Sequence, residues 1–222
     1  MNKVRIAIID TGIFNGFTYN GVKEPLDGCR FWIEHDDIYM DEHYEDLQGH
    51  GTMVAATIKK YCPNSFLYVI KIYDQHARTS SVLLLQALYH LANIEVDYIN
   101  ISLAVDGEVW KEEISSALKH LDNQGKKVFV AVKNGLVTSF PASDPSCYGV
   151  RSKEEFAGTM KIQYEGSNEG KGIFLCDGSQ EKVEILEGIE KEFIGNSKAT
   201  AKALGIIAEK EKQKNGDCGK MR

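Results

Sequence analysis

The chain has 222 residues, 43% of them hydrophobic and 26% charged, enough to bury the continuous core of one globular domain. Its formal charge of -6 gives no basic surface for a polyanion, so a nucleic-acid partner is not expected. Apolar runs such as residues 82–85 fall far short of the roughly 20 residues a membrane span needs, and the amino terminus shows no apolar signal core, so a soluble, cytoplasmic protein is expected. Five cysteines, at 29, 62, 147, 176 and 218, are an odd number without a close pair, which fits reduced thiols better than a disulfide framework or a zinc knuckle.

In chain order, residues 4–9 form a run rich in isoleucine and valine that ends on Asp10-Thr11-Gly12, which reads as a buried strand stopped by a turn. Residues 14–48 are irregular and acidic, with one or two short strands and a long loop expected. Val54, Ala55 and Ile58 have helical spacing, and that helix begins just after Gly49-His50-Gly51. Residues 66–72 read as a strand, 80–93 as a helix with a serine-rich start and 98–103 as a strand. Residues 108–124 read as a helix closed by Gly125, and 127–132 as a strand. Residues 150–194, including 171–175 and 183–186, read as short antiparallel ribbons. A last helix covers 199–212, with Ser197 at its start and an end near Asn215-Gly216. One domain over 1–216 and a disordered tail over 217–222 are therefore expected.

Strand and helix alternate as in an α/β fold, with a mostly parallel central sheet and helices on both faces. Open sheets of this kind bind ligands beyond the carboxyl ends of their strands. Asp10, the segment Ser102, Leu103 and Ala104, and Asn134 all lie at such ends, so one site is expected there. The residue types suit acyl transfer. Ser197 at a helix start is a candidate nucleophile whose own amide can face an oxyanion, His50 a candidate base, Asp10 its orienting carboxylate, and Asn134 a side-chain oxyanion donor. Each has a plainer reading: a turn cap for Asp10, a helix cap for Ser197, a structural imidazole for His50. The acidic stretch 34–46, with His35 and His43, matches no metal loop and reads as solvated surface.

Six short blocks then resemble, in order, those of the subtilisin-like serine peptidases, the subtilases. Ile8-Ile9-Asp10-Thr11-Gly12 is similar to the aspartate block and Gly49-His50-Gly51-Thr52-Met53-Val54-Ala55 to the histidine block. Ile99-Asn100-Ile101-Ser102-Leu103 resembles the substrate-binding strand, and Ala131-Val132-Lys133-Asn134-Gly135 the oxyanion segment. Phe140-Pro141-Ala142-Ser143 is similar to the proline segment that follows, and Gly195-Asn196-Ser197-Lys198-Ala199 to the serine block. The resemblance implies a three-layer subtilisin-like fold and an Asp10, His50, Ser197 triad with Asn134 in the oxyanion hole. It further implies an extended peptide or protein substrate held by Ser102, Leu103, Ala104, Ala131, Val132 and Lys133, and an acyl-enzyme; no cofactor and no metal are expected.

Asn196 stands where the family has threonine, Ala104 where it has glycine, and Lys133 where it has a small residue. The last two imply a narrow or partly filled specificity pocket, or one that selects a small or acidic side chain. A compact member without a prodomain, dedicated to a processing step such as leader-peptide removal, is the expectation. A peptide ligase or macrocyclase using the same triad, and an inactive peptide-binding scaffold, stay open; oligomeric state is not specified by the sequence.

Overall fold

The computed structural model describes residues 3–23, 26–105, 109–168 and 170–218, without the side chains of 22, 23 and 215–218. The chain runs β1 (Arg5–Asp10), β2 (Thr18–Tyr19), β3 (Val22–Lys23), β4 (Leu26–Glu34), β5 (Asp37–Asp41), α1 (His50–Tyr61), β6 (Phe66–Lys71), α2 (Ser81–Leu91), β7 (Tyr98–Ile101), α3 (Lys111–Asn123) and β8 (Lys127–Ala131). It continues with β9 (Tyr148–Ser152), β10 (Gln163–Glu165), β11 (Ile173–Cys176), β12 (Glu181–Leu186), β13 (Ile189–Phe193) and α4 (Asn196–Cys218).

Nine strands form one sheet in the order β10-β11-β9-β8-β7-β1-β6-β4-β5, parallel throughout except at its two edge pairs, β10 with β11 and β4 with β5. β1 is central, and its side chains alternate between two cores. Ala7 and Ile9 face the layer that contains α2 and α3, whereas Ile6 and Ile8 face the layer of α1 and α4. A strand covered on both faces has no polar side, which is why residues 6–9 read as an unbroken apolar run. The fold is thus the expected α/β sandwich of three layers.

The helices carry their own stop and start signals. Ser80 Oγ caps α2 by accepting from Leu83 N at 3.4 Å, and Leu84, Leu88 and Leu91 bury its inner face. α3 closes where Gly125, at φ +80°, lets its own N–H reach Asp122 O and that of Lys126 reach Leu121 O. α4 crosses α1 closely at Gly205. A methyl group there would sit 2.9 Å from Tyr61 Cβ and 3.2 Å from Ile58 O.

Three expectations need revision. Residues 14–48 hold four strands rather than one or two, and β4 with β5 makes a long antiparallel hairpin at the sheet edge. β9 and β11 lie within the parallel sheet, so among the described residues of 150–194 antiparallel pairing is confined to β10 with β11 and β12 with β13. The helix of α4 continues to Cys218, two residues into the stretch assigned to a tail; residues 219–222 lie outside the described ones. An Asn-Gly pair weakens a helix without forbidding it, and helix ends are defined only to a residue or two. The start of the helix expected at 108 also lies outside the described residues, and α3 itself begins at Lys111.

Candidate active site

β1 delivers Asp10 to the carboxyl edge of the sheet with no exposed surface. Its Oδ1 accepts from Thr11 N at 2.7 Å and faces His50 Nδ1 at 2.7 Å. An acceptor on that side puts the imidazole proton on Nδ1 and leaves Nε2 as a bare acceptor. Asp10 Oδ2 is buried without a hydrogen-bond partner among the described residues. Burial of the His50 ring works against its charge. The carboxylate of Asp10, through charge and hydrogen bond, with Asp46 adding to it, outweighs burial and raises the imidazole above its ordinary value.

The start of α1 is set by Asp46. Although it lies in the acidic stretch 34–46, expected as solvated surface, Asp46 is 1% exposed. Its carboxylate accepts from Gln48 N, Gly49 N, Thr52 N, Thr52 Oγ1 and Thr11 Oγ1 at 2.7 to 3.0 Å. Gly49 itself, at φ +93°, offers no capping side chain, so Asp46 satisfies the free N–H groups and the dipole of the helix end from three residues away. Thr11 Oγ1 also accepts from Gly51 N at 2.8 Å, tying the turn after β1 to the first turn of α1. Gly51 is required there because a Cβ would strike Gly12 O and approach Asp10 Cβ at 3.2 Å. The signal available in the sequence was the spacing of Asp46 before an uncapped Gly-His-Gly helix start.

Ser197 is half-buried in the first turn of α4. Its neighbour Asn196, which replaces the expected threonine, is 6% exposed and fully used. Asn196 Oδ1 accepts from Ser152 N at 2.7 Å, and its Nδ2 donates to Val132 O at 2.7 Å. Its main-chain N–H donates to Asn134 Oδ1 at 3.0 Å. That last bond fixes the amide of Asn134 with Oδ1 turned towards the serine turn, so Nδ2 is the group left to donate outward from an exposed side chain. Gly195, at φ +95°, lies so near this amide that a Cβ would come 3.1 Å from Asn134 Oδ1.

Asp10 and His50 are therefore joined directly, and Asn134 is joined directly to the turn that carries Ser197. Phe193, two residues before Gly195, meets the ring of His50 edge-on at 5.5 Å; no direct Ser197 to His50 hydrogen bond is present among the described residues. Hydrogen bonds of this kind commonly tighten only when substrate is bound.

The expected substrate-holding residues divide into two kinds. Ser102, Leu103 and Ala104 continue past the end of β7, where the ladders to β1 and β8 stop at Ile101, so their main chain is outside the sheet. Ser102 Oγ accepts from Asn100 Nδ2 at 2.9 Å. Ala131, by contrast, pairs with Val150, and Val132 gives its N–H to Val150 O and its carbonyl to Asn196. These two provide a wall rather than free pairing groups. Lys133 follows at the exposed rim, its N–H held by Ser139 Oγ at 2.8 Å, while Val105 N donates to Phe140 O at 3.0 Å. The slot between the two strand extensions is thus bridged on both sides by residues 139 and 140.

Comparison with known proteins agrees with this architecture. A family model described as the subtilase family matches residues 1–217, and the chain belongs to that family of serine peptidases. An "Intracellular serine protease" of Paenibacillus polymyxa is 25% identical over 218 residues, covering 92% of this chain and 65% of that protein. A "Thermostable alkaline protease" of Halalkalibacterium halodurans is 23% identical over 225 residues, covering 93% of this chain and 56% of that protein. The chain therefore spans somewhat under two thirds of the length of these relatives. A solved cold-adapted subtilisin-like serine proteinase superposes with a TM-score of 0.73 over 96% of this chain and 77% of that one, at 22% identity, a likeness of fold.

Proposed function

We propose that the protein is a serine endopeptidase in which Ser197 attacks the scissile carbonyl, His50 takes its proton at Nε2, and Asp10 holds the resulting imidazolium. The observation that carries this reading is the 2.7 Å contact from His50 Nδ1 to a fully buried carboxylate, which leaves Nε2 as an unprotonated acceptor. The tetrahedral oxyanion faces Asn134 Nδ2 and the N–H of Ser197; as it collapses to the acyl-enzyme the C–N bond breaks and His50 passes its proton to the leaving amine, after which water, deprotonated by His50, releases the acid and restores Ser197. The substrate lies extended along Ser102, Leu103 and Ala104, its side chain entering the slot walled by Ala131 and Val132 with Lys133 at the rim. Bridging by Ser139 and Phe140 supports selection of a short side chain there.

Labelling with a fluorophosphonate tests the chemistry. The wild type is expected to be labelled on Ser197 and the Ser197→Ala variant not at all. A folded wild type that stays unlabelled sinks the enzyme reading in favour of a peptide-binding scaffold. Asn134→Ala should lower turnover about 10²- to 10³-fold, a magnitude taken from an oxyanion donor in a subtilisin, with little change in KM.

The bridging of the two strand extensions by Ser139 and Phe140, together with the name of the Paenibacillus relative, supports a selective processing protease in the cytoplasm, as in leader-peptide removal. Among the described residues no helix is long and apolar enough to cross a membrane. Mass spectrometry of digested peptide libraries is expected to show cleavage after a small set of residues; indiscriminate cutting counts against a processing role, and joined or circular products against hydrolysis.

A further inference from the structure

The turn that carries Ser197 is gripped from two sides, and one grip is ionic. Asn196 ties it to β8 and β9, as described above. On the opposite side, Gly195 N donates to Gly178 O at 2.8 Å. Lys198, the residue directly after Ser197, donates to Ser179 O at 2.6 Å and pairs with Glu181 at 2.9 Å. Its ammonium also lies 3.7 Å from Asp177 Oδ2, which takes a closer bond from Lys202 at 2.8 Å. Ser179 donates to Asp177 Oδ1 through both N and Oγ, and Lys60 of α1 pairs with Glu181.

Lys198 and Asp177 side chains are only 1% and 2% exposed. An ammonium group so deeply buried is strongly disfavoured unless paired, and its neighbours on the same helix, Ala199, Ala201 and Ala203, show that small apolar residues pack there without difficulty. Two buried lysines one turn apart, sharing one aspartate, are therefore a specific arrangement. Among the described residues, three ammonium groups, of Lys60, Lys198 and Lys202, stand against the carboxylates of Asp177 and Glu181, an excess of positive charge.

We propose that Lys198 is a positioning residue for Ser197. Through Ser179, Glu181 and Asp177 it fixes the first turn of α4 against the segment between β11 and β12, and it contributes positive charge behind the nucleophile. The proposal rests on the reading of Ser197 as that nucleophile. On this proposal the charge is felt at His50, which is held by Asp10 from β1 with Asp46 from the loop before α1 adding to it; Lys191 of β13 reaches the chain two residues before His50, at Gln48 O, and Tyr73, after β6, lies near Asp10.

The test compares Lys198→Met and Asp177→Asn by fluorophosphonate labelling and by the pH profile of kcat/KM, with thermal melts to confirm folding. Lys198→Met is expected to lower kcat and labelling rate about 10- to 100-fold, with KM within about twofold. It should move the acid limb up by about half a pH unit, because His50 is expected to protonate more easily once the cation behind Ser197 is gone. Asp177→Asn should move that limb down. Packing defects alone would not displace the limb in opposite directions, and an unmoved limb in both folded variants, or wild-type labelling by Lys198→Met, overturns the proposal. Should either single variant fail to fold, the double variant, which removes one charge of each sign, is expected to label slowly with its acid limb in place; wild-type rates from it overturn the proposal equally. An unlabelled wild type would instead reject the nucleophile itself.

Discussion

Asp46 shows how much a single carboxylate can organise. Burial alone would raise its pKa, but hydrogen bonds from Gly49, Thr52 and Gln48 favour the charged form more and leave it lowered. A depressed carboxylate adds stability that is fully present above the ordinary value of about 3.9 and is lost as pH falls through the folded value. Asp46→Asn should therefore cost about 2 to 4 kcal/mol at neutral pH, with the gap to wild type closing below about pH 4 in denaturation curves. His50 has the opposite sign. Its raised pKa means that the neutral imidazole required by the proposed reaction prevails only above the ordinary imidazole range, so kcat/KM should rise with an apparent pKa above about 6.5. Asp10→Asn removes the group that raises it and the acceptor that fixes its tautomer. Turnover should fall about 10⁴-fold in steady-state assays, and an unchanged rate would show that the pair does not act in the reaction.

Among the elements, α1 and α4 bear most directly on the site, since one begins at His50 and the other carries Ser197 in its first turn. Their spacing depends on Gly205, and Gly205→Leu should force them apart, destabilising the protein by about 1 to 3 kcal/mol in chemical denaturation. Activity should fall further than the loss of folded protein explains. The strands and helices around the site were legible because their signals are local: the apolar run ending at Asp10, the serine before α2, Gly125 after α3. Asp10, His50, Asn134 and Ser197 could be singled out because each sits at such an end. β4 and β5 were obscure because a protruding hairpin keeps Ile33, Ile38, Tyr39 and Met40 exposed, so no clean alternation of inside and outside marks it. Asp46, Asp177 and Lys198 were hidden for another reason. A charged residue reads as surface until the fold supplies partners, and those partners come from distant segments.

For the molecule as a whole, the two cores on either side of the sheet make the interior inaccessible. Cys29, Cys62, Cys147 and Cys176 are all buried, and burial pushes their thiols up, to about 11 for Cys29 and Cys176 and about 12 for Cys62. Alkylation followed by peptide mapping should leave these four unmodified in the native protein at neutral pH and modify them only on unfolding. Phe129, 1% exposed, packs against Tyr98, Tyr148 and Phe174 from three strands, and Phe129→Ala should cost about 3 to 5 kcal/mol in the same denaturation experiment. The order of Asp10 and His50 before Ser197 has a consequence during synthesis if the proposed chemistry holds. A nascent polypeptide still waiting for α4 already owns the imidazole and its carboxylate but not the hydroxyl proposed to attack. Cutting power would arrive only once α4 has emerged and docked against α1, and until then the growing chain is harmless.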